Sequence, residues 1–138
     1  MAWIKTVPFE DATGKLRKLY ERVTGPDGNV DNIMMAHSLR PHTMKGHMVL
    51  YKNVLHHKDN TLPKSLLETI GVYVSLLNHC DYCVLHHFEG LKRLIQDENR
   101  ANEIYKNLNN GSFDKFSEKE RAILEYAKKL TLTPKELS

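Results

Sequence analysis

Residues 64–77, K-S-L-L-E-T-I-G-V-Y-V-S-L-L, constrain this chain more than any other stretch. Leu66, Ile70, Val72, Val74, Leu76 and Leu77 spread over much of the circumference of a helix. A helix that is apolar on most sides must be surrounded by others, so it is predicted to be central. Pro63 suits its first turn. One acid, Glu68, stands between Thr61 and Asn78. A carboxylate in such a helix is costly unless it finds a partner; otherwise it faces solvent.

The rest of the chain repeats the helical period. Ala12, Leu16, Leu19, Tyr20 and Val23 recur at helix spacing, and Thr24-Gly25-Pro26-Asp27-Gly28 ends that run. Asn32 to Ser38 reads as a short helical turn. A helix from Pro41 to about Leu55 sets Met44, Met48, Tyr51 and Leu55 on one face, and His56 to Thr61 reads as a loop. Further helices are predicted from near Cys80 to near Gln96 and from about Arg100 to Leu108. Asn109-Asn110-Gly111 is a stop signal. Ser117-Glu118-Lys119-Glu120 is a capping box that opens a helix carrying Ile123, Leu124, Ala127 and Leu130. Thr133-Pro134-Lys135-Glu136 announces one more helix, and the chain stops two residues later. The expectation is therefore a single all-α domain over residues 1–138, with an N-terminal arm at about 1–10 and C-terminal helices truncated. Such truncation would leave apolar surface exposed or covered by a partner chain. Trp3 and Phe9 are the candidate anchors of the arm, on this chain or on a neighbouring subunit. No β-hairpin signal and no internal repeat is found.

Composition narrows the function. The net charge is +3 among scattered lysines and acids, with no basic stripe to hold nucleic acid. No apolar run approaches the length of a membrane span. The start, Met1-Ala2-Trp3-Ile4-Lys5, lacks the apolar core of a signal peptide. A cytoplasmic location follows as the expectation, and there stable structural disulfides are uncommon.

The two cysteines then need an explanation. They lie in N-H-C-D-Y-C-V-L-H-H-F-E-G, residues 78–90. On a helix from Cys80 onward, Cys80, Cys83, Val84, His87, Leu91 and Leu94 share one stripe, His86 sits at its edge, and Glu89, Lys92, Arg93 and Gln96 face solvent. The cysteines could be small buried hydrophobes beside a core histidine. A zinc site fits poorly, because Cys80 and His87 would lie about 10 Å apart along the axis and no second Cys-x-x-Cys completes a ligand set. A redox pair fits better. The first cysteine of such a motif meets the free N–H groups of a helix start, which favours its thiolate. The second lies one turn on, near enough for a disulfide. His87 is four residues beyond Cys83, so its imidazole can take that thiol's proton, and a carboxylate would hold the imidazole in place. Cys83 is then the thiol with a base and Cys80 the resolving thiol. Glu68 is the candidate carboxylate. In one continuous rod it would lie roughly 28 Å from His87, so the chain must bend near Asn78-His79-Cys80, where Asn78 suits a helix end.

Glu68, Cys80-x-x-Cys83 and His87 at these spacings resemble the signature of the alkylhydroperoxidase D-like proteins, within the carboxymuconolactone decarboxylase superfamily. Asn78-x-Cys80-x-Tyr82-Cys83-x-x-His86-His87 looks most like its peroxidase-related branch. Glu10-Asp11-Ala12-Thr13-Gly14, Tyr20 and His37-Ser38-Leu39-Arg40-Pro41 are similar to the same branch. The resemblance implies an alkylhydroperoxidase D-like helical bundle, oligomeric through helix packing as a trimer or hexamer. It implies an oxidoreductase, an antioxidant thiol peroxidase acting on hydroperoxides without metal or other cofactor. Cys83 would be the peroxidatic thiol, Cys80 the resolving one, and Glu68 with His87 the proton relay. Tyr82 and His86 are accessory positions; the founding members carry a histidine where Tyr82 stands, and a phenol there can still donate a hydrogen bond. The reductant would be a protein or small thiol, a lipoylated protein in the founding members. Carboxymuconolactone decarboxylase itself lacks the cysteine pair, so lactone chemistry is not expected. Two other readings stay open: a dithiol–disulfide oxidoreductase acting on proteins, and a non-catalytic helical oligomer whose cysteines pack an interface.

His37, His42 and His47, five apart, would spread around a helix and are read as surface or packing residues, while His56, His57 and His79 have no role beyond loop and helix-end positions. Met34, Met35, Met44 and Met48 are read as core.

Overall fold

The structure, a computed structural model, describes residues 3–25 and 28–137, so Pro26 and Asp27 of the first stop signal lie outside the described residues. The fold is all-α: seven α-helices and one short 3₁₀ turn, with no strand among the described residues. They fall into two compact units, residues 1–58 and 59–138.

The first unit holds α1 (Gly14–Val23), α2 (Asn32–Met35) and α3 (Pro41–Leu55), the last with the bounds its sequence predicts. Its core is Ala12, Leu16, Tyr20, Met34 and Met44, with Met35 and Met48 packed against it, so the methionines are core as expected. Tyr20 is fully buried, and burial pushes its phenol above the ordinary tyrosine range. It donates to the Val7 carbonyl at 2.7 Å. The Val7 N–H donates in turn to Ser38 Oγ at 2.9 Å, which ties the arm to the turn after α2. Phe9 stacks on Tyr20 and lies under the Arg17 guanidinium at 3.9 Å, so it anchors the arm within its own unit, whereas Trp3 is fully exposed.

The histidines of this unit depart from the expected scatter. His37 precedes α3 and folds back, so its ring centroid lies 5.1 Å from that of His47, and His47, Tyr51 and His56 continue the row. The five-residue spacing was informative only for residues on one continuous helix, and His37 is not on α3.

The second unit is built on α4 (Lys64–Leu77), which packs on α5 (Asp81–Ile95), α6 (Glu98–Asn109) and α7 (Glu118–Leu132). Its core is Val72, Tyr73, Leu91, Ile104, Leu108, Phe116 and Leu124. The largest aliphatic members stabilise by about 1.5–3 kcal/mol each when fully buried. On α5 the core lies to one side of the predicted stripe: Ile95 packs into it, while Leu94 is exposed. Leu124 and Ala127 of α7 are buried as predicted and Leu130 is not. Helix α6 starts two residues earlier than the apolar period suggests, because the Asp97 side chain caps it by accepting from the Arg100 N–H at 3.0 Å. After α7, the announced helix start is a three-residue 3₁₀ turn, Pro134–Glu136, with no side-chain cap.

The capping box at Ser117 is complete. Glu120 accepts from the Ser117 N–H at 2.9 Å and from its hydroxyl at 2.7 Å. The hydroxyl hydrogen bond, then the backbone one, holds the Glu120 carboxyl below the ordinary range. A carboxyl whose folded pKa is depressed stabilises fully above its unfolded pKa and loses that contribution as pH falls through the folded one. Ser117→Ala is therefore expected to lower stability by about 1 kcal/mol at neutral pH. Urea denaturation repeated below the ordinary glutamate range should show the gap between parent and variant narrowing.

Candidate active site

The bend that the sequence requires between α4 and α5 is a two-residue hinge. Asn78 caps α4 in an ordinary helical conformation, and the left-handed residue is the next one, His79, at φ 53°. The His79 N–H donates to the Leu76 carbonyl at 3.1 Å and the Cys80 N–H to the Ser75 carbonyl at 3.0 Å. These two bonds form a Schellman stop with histidine in the position glycine usually takes. Cys80 thus closes one helix and opens the next, since it is also the N-cap of α5. Its sulfur accepts from the Cys83 N–H at 3.4 Å. Cys80 and Cys83 are joined by a disulfide, with Cα atoms 5.3 Å apart.

The hinge lays α5 back along α4 and brings Glu68 to His87. The carboxylate Oε2 is 2.8 Å from Nδ1 of the imidazole. Glu68 is buried, 9% exposed, and His87 half-buried, so the acid in the apolar helix has its partner. A carboxylate opposite Nδ1 favours the tautomer with its proton on Nδ1, which leaves Nε2 to accept one. His87 lies one helical turn beyond Cys83 on α5.

Two glycines make this contact possible, and sequence reasoning passed over both. A Cβ on Gly71 would lie 2.6 Å from Nδ1 of His87, and one on Gly90 would lie 2.9 Å from Cδ of Glu68. The arrangement is reciprocal. Three residues after Glu68 comes the glycine that admits His87, and three residues after His87 comes the glycine that admits Glu68. The available signal was an isolated glycine at that spacing inside each apolar helix, at a cost of about 1 kcal/mol in helix propensity.

Tyr82 and His86 stand on the open side of α5. The Tyr82 and His86 rings stack with centroids 6.2 Å apart, and His86 meets His87 edge-on at 6.0 Å. On the other side Cys80 lines an open cleft of about 650 Å³, walled by Tyr73, Leu76, Tyr105 and Leu132. Among the described residues no group of three or more His, Cys, Asp or Glu side chains could hold a metal ion. No helix among them is long and apolar enough to cross a membrane.

A sequence model described as the carboxymuconolactone decarboxylase family matches residues 41–129, which include the hinge, both cysteines, Glu68 and His87. No curated protein matches the chain.

Proposed function

Since the chain belongs to the carboxymuconolactone decarboxylase family, we propose that it is a thiol peroxidase, reducing hydroperoxides through Cys83 and Cys80 with Glu68 and His87 as proton relay. One observation carries this reading: a disulfide at the start of a helix whose next turn bears an imidazole held by a buried carboxylate. Nε2 of His87 takes the Cys83 proton. The thiolate attacks one oxygen of the peroxide, the O–O bond breaks, and the alcohol leaves with a proton, so Cys83 becomes a sulfenic acid. Cys80, whose sulfur already accepts the Cys83 N–H, is the resolving thiolate. It attacks the sulfenic sulfur, expels water and forms the disulfide. Two electrons pass from two thiols to one peroxide.

Tyr82 stacks on His86, which meets His87 edge-on, and the two are accessory groups that can pass the proton outward. Exposed Val49, Leu50 and Val54 on α3 support the expected homo-oligomer.

Stopped-flow oxidation of the pre-reduced protein by cumene hydroperoxide tests the proposal. One peroxide should disappear per subunit as one disulfide appears, faster as pH rises, because the thiolate and not the thiol is the nucleophile. Glu68→Gln should slow this step by about 10–100-fold, as loss of the group that orients a working imidazole does elsewhere. An unchanged rate in a folded Glu68→Gln protein would remove Glu68 from the relay.

The cleft beside Cys80 supports a second reading, dithiol–disulfide exchange with protein substrates. Insulin reduction outpacing peroxide reduction would favour it.

A further inference from the structure

His37 and His47 take no part in the thiol chemistry, yet their half-buried rings lie with centroids 5.1 Å apart. We propose that this pair is an acid-sensitive latch on the N-terminal arm: charging both imidazoles opens the turn that carries Ser38 and releases Val7.

One turn holds both the imidazole and the arm. Thr43 gives its hydroxyl proton to the Arg40 carbonyl at 2.8 Å, so its oxygen accepts from Nδ1–H of His37, also at 2.8 Å. That pins the ring to the first turn of α3 and leaves Nε2 as the nitrogen that takes the next proton. The following residue, Ser38, is buried, and its hydroxyl oxygen accepts from the Val7 N–H at 2.9 Å. The Tyr20 phenol closes the arm down from the other side by donating to the Val7 carbonyl at 2.7 Å. A displacement of His37 therefore reaches Val7 through one peptide unit.

The electrostatics oppose two charges here. Like charges at this separation repel, and half-burial weakens the screening by water. Burial first, and then His47, hold His37 below the ordinary histidine value of 6.5. Among the described residues no carboxylate pairs with either ring: His37 meets Thr43 and His47, and His47 meets Tyr51. Helix α1, packed on α3, brings Tyr20 as its buried titratable group, and its Glu21 is taken by Arg17. Asp31 before α2, and Glu10 and Asp11 of the arm, are exposed. Arg40, His42 and Lys45 are exposed too, and carry the same sign when charged. A histidine whose folded pKa is depressed supports the fold fully above its unfolded pKa and loses that support as pH falls through the folded one. The latch is closed at neutral pH and opens in weak acid.

Amide hydrogen exchange of the full chain tests the latch, read residue by residue by NMR and divided by the intrinsic rate at each pH. From above to below the ordinary histidine range, protection of the Val7 amide is expected to fall by about tenfold or more. Core amides of α4, such as that of Val72, should keep theirs. His47→Gln removes one of the two charges and keeps a polar side chain. It should abolish most of the fall at Val7, and His37 should titrate higher than in the parent. Ser38→Ala removes the acceptor, so Val7 should exchange rapidly at either pH. Val7 protection that persists while both imidazoles titrate overturns the proposal, as does an equal fall in His47→Gln. A Ser38→Ala arm as protected as the parent's, or a loss shared by the α4 core, overturns it as well.

Discussion

Cys83→Ser is expected to consume cumene hydroperoxide at least about a thousandfold more slowly than the parent protein, because a serine hydroxyl supplies no thiolate near neutral pH. Cys80→Ser should behave differently. It keeps the thiol one turn from His87, so it should consume one equivalent and stop at a sulfenic acid that dimedone labels on Cys83. The pair of variants separates two influences that the structure sets against each other. The N-terminus of α5 favours a thiolate on Cys80, whose sulfur accepts a backbone N–H. The relay favours one on Cys83. If Cys83→Ser kept pace with the parent, helix capping would outweigh the imidazole and Cys80 would be the attacking thiol. If neither variant changed the rate and neither thiol took dimedone, the cysteines would be packing residues.

The second large effect concerns a residue with no functional group. Gly71→Ala would put a methyl group 2.6 Å from Nδ1 of His87, closer than side-chain carbons approach other atoms. Either the imidazole leaves its place or α4 and α5 move apart. Both separate His87 from Glu68 and leave a buried carboxylate without its partner, which typically destabilises by about 3–5 kcal/mol. Peroxide consumption should fall at least as far as in Glu68→Gln, with the midpoint of urea unfolding lowered as well. Gly90→Ala should act in the same direction through the Glu68 carboxylate, which a methyl group there would meet at 2.9 Å. Gly46→Ala is the control. A Cβ there meets nothing within 4 Å on exposed α3, so this change should stabilise by up to about 1 kcal/mol through helix propensity. A Gly71→Ala protein as stable and active as the parent would mean that the helices are not held at this separation.

What the sequence determined alone is what short-range physics determines. Helix α3 runs over Pro41–Leu55 as its period and proline indicate, the Ser117 capping box forms, and Asn109-Asn110-Gly111 stops α6 with glycine in the left-handed conformation. Each depends on residues within a turn or two of one another. The Glu68–His87 contact was reachable at longer range because a lone acid in an apolar helix needs a partner, and one bend could supply it. Asn78 caps α4 as expected, while the tertiary structure decided that His79 takes the left-handed conformation of the bend and that Gly71 and Gly90 leave the room for the contact. It also decided that Ile95 and not Leu94 faces the core, that His37 folds onto His47, and that the cleft opens on Cys80. Helical period sets the angles of side chains about one axis. Only the packing of several axes sets which angle is inside, and how near two backbones can come.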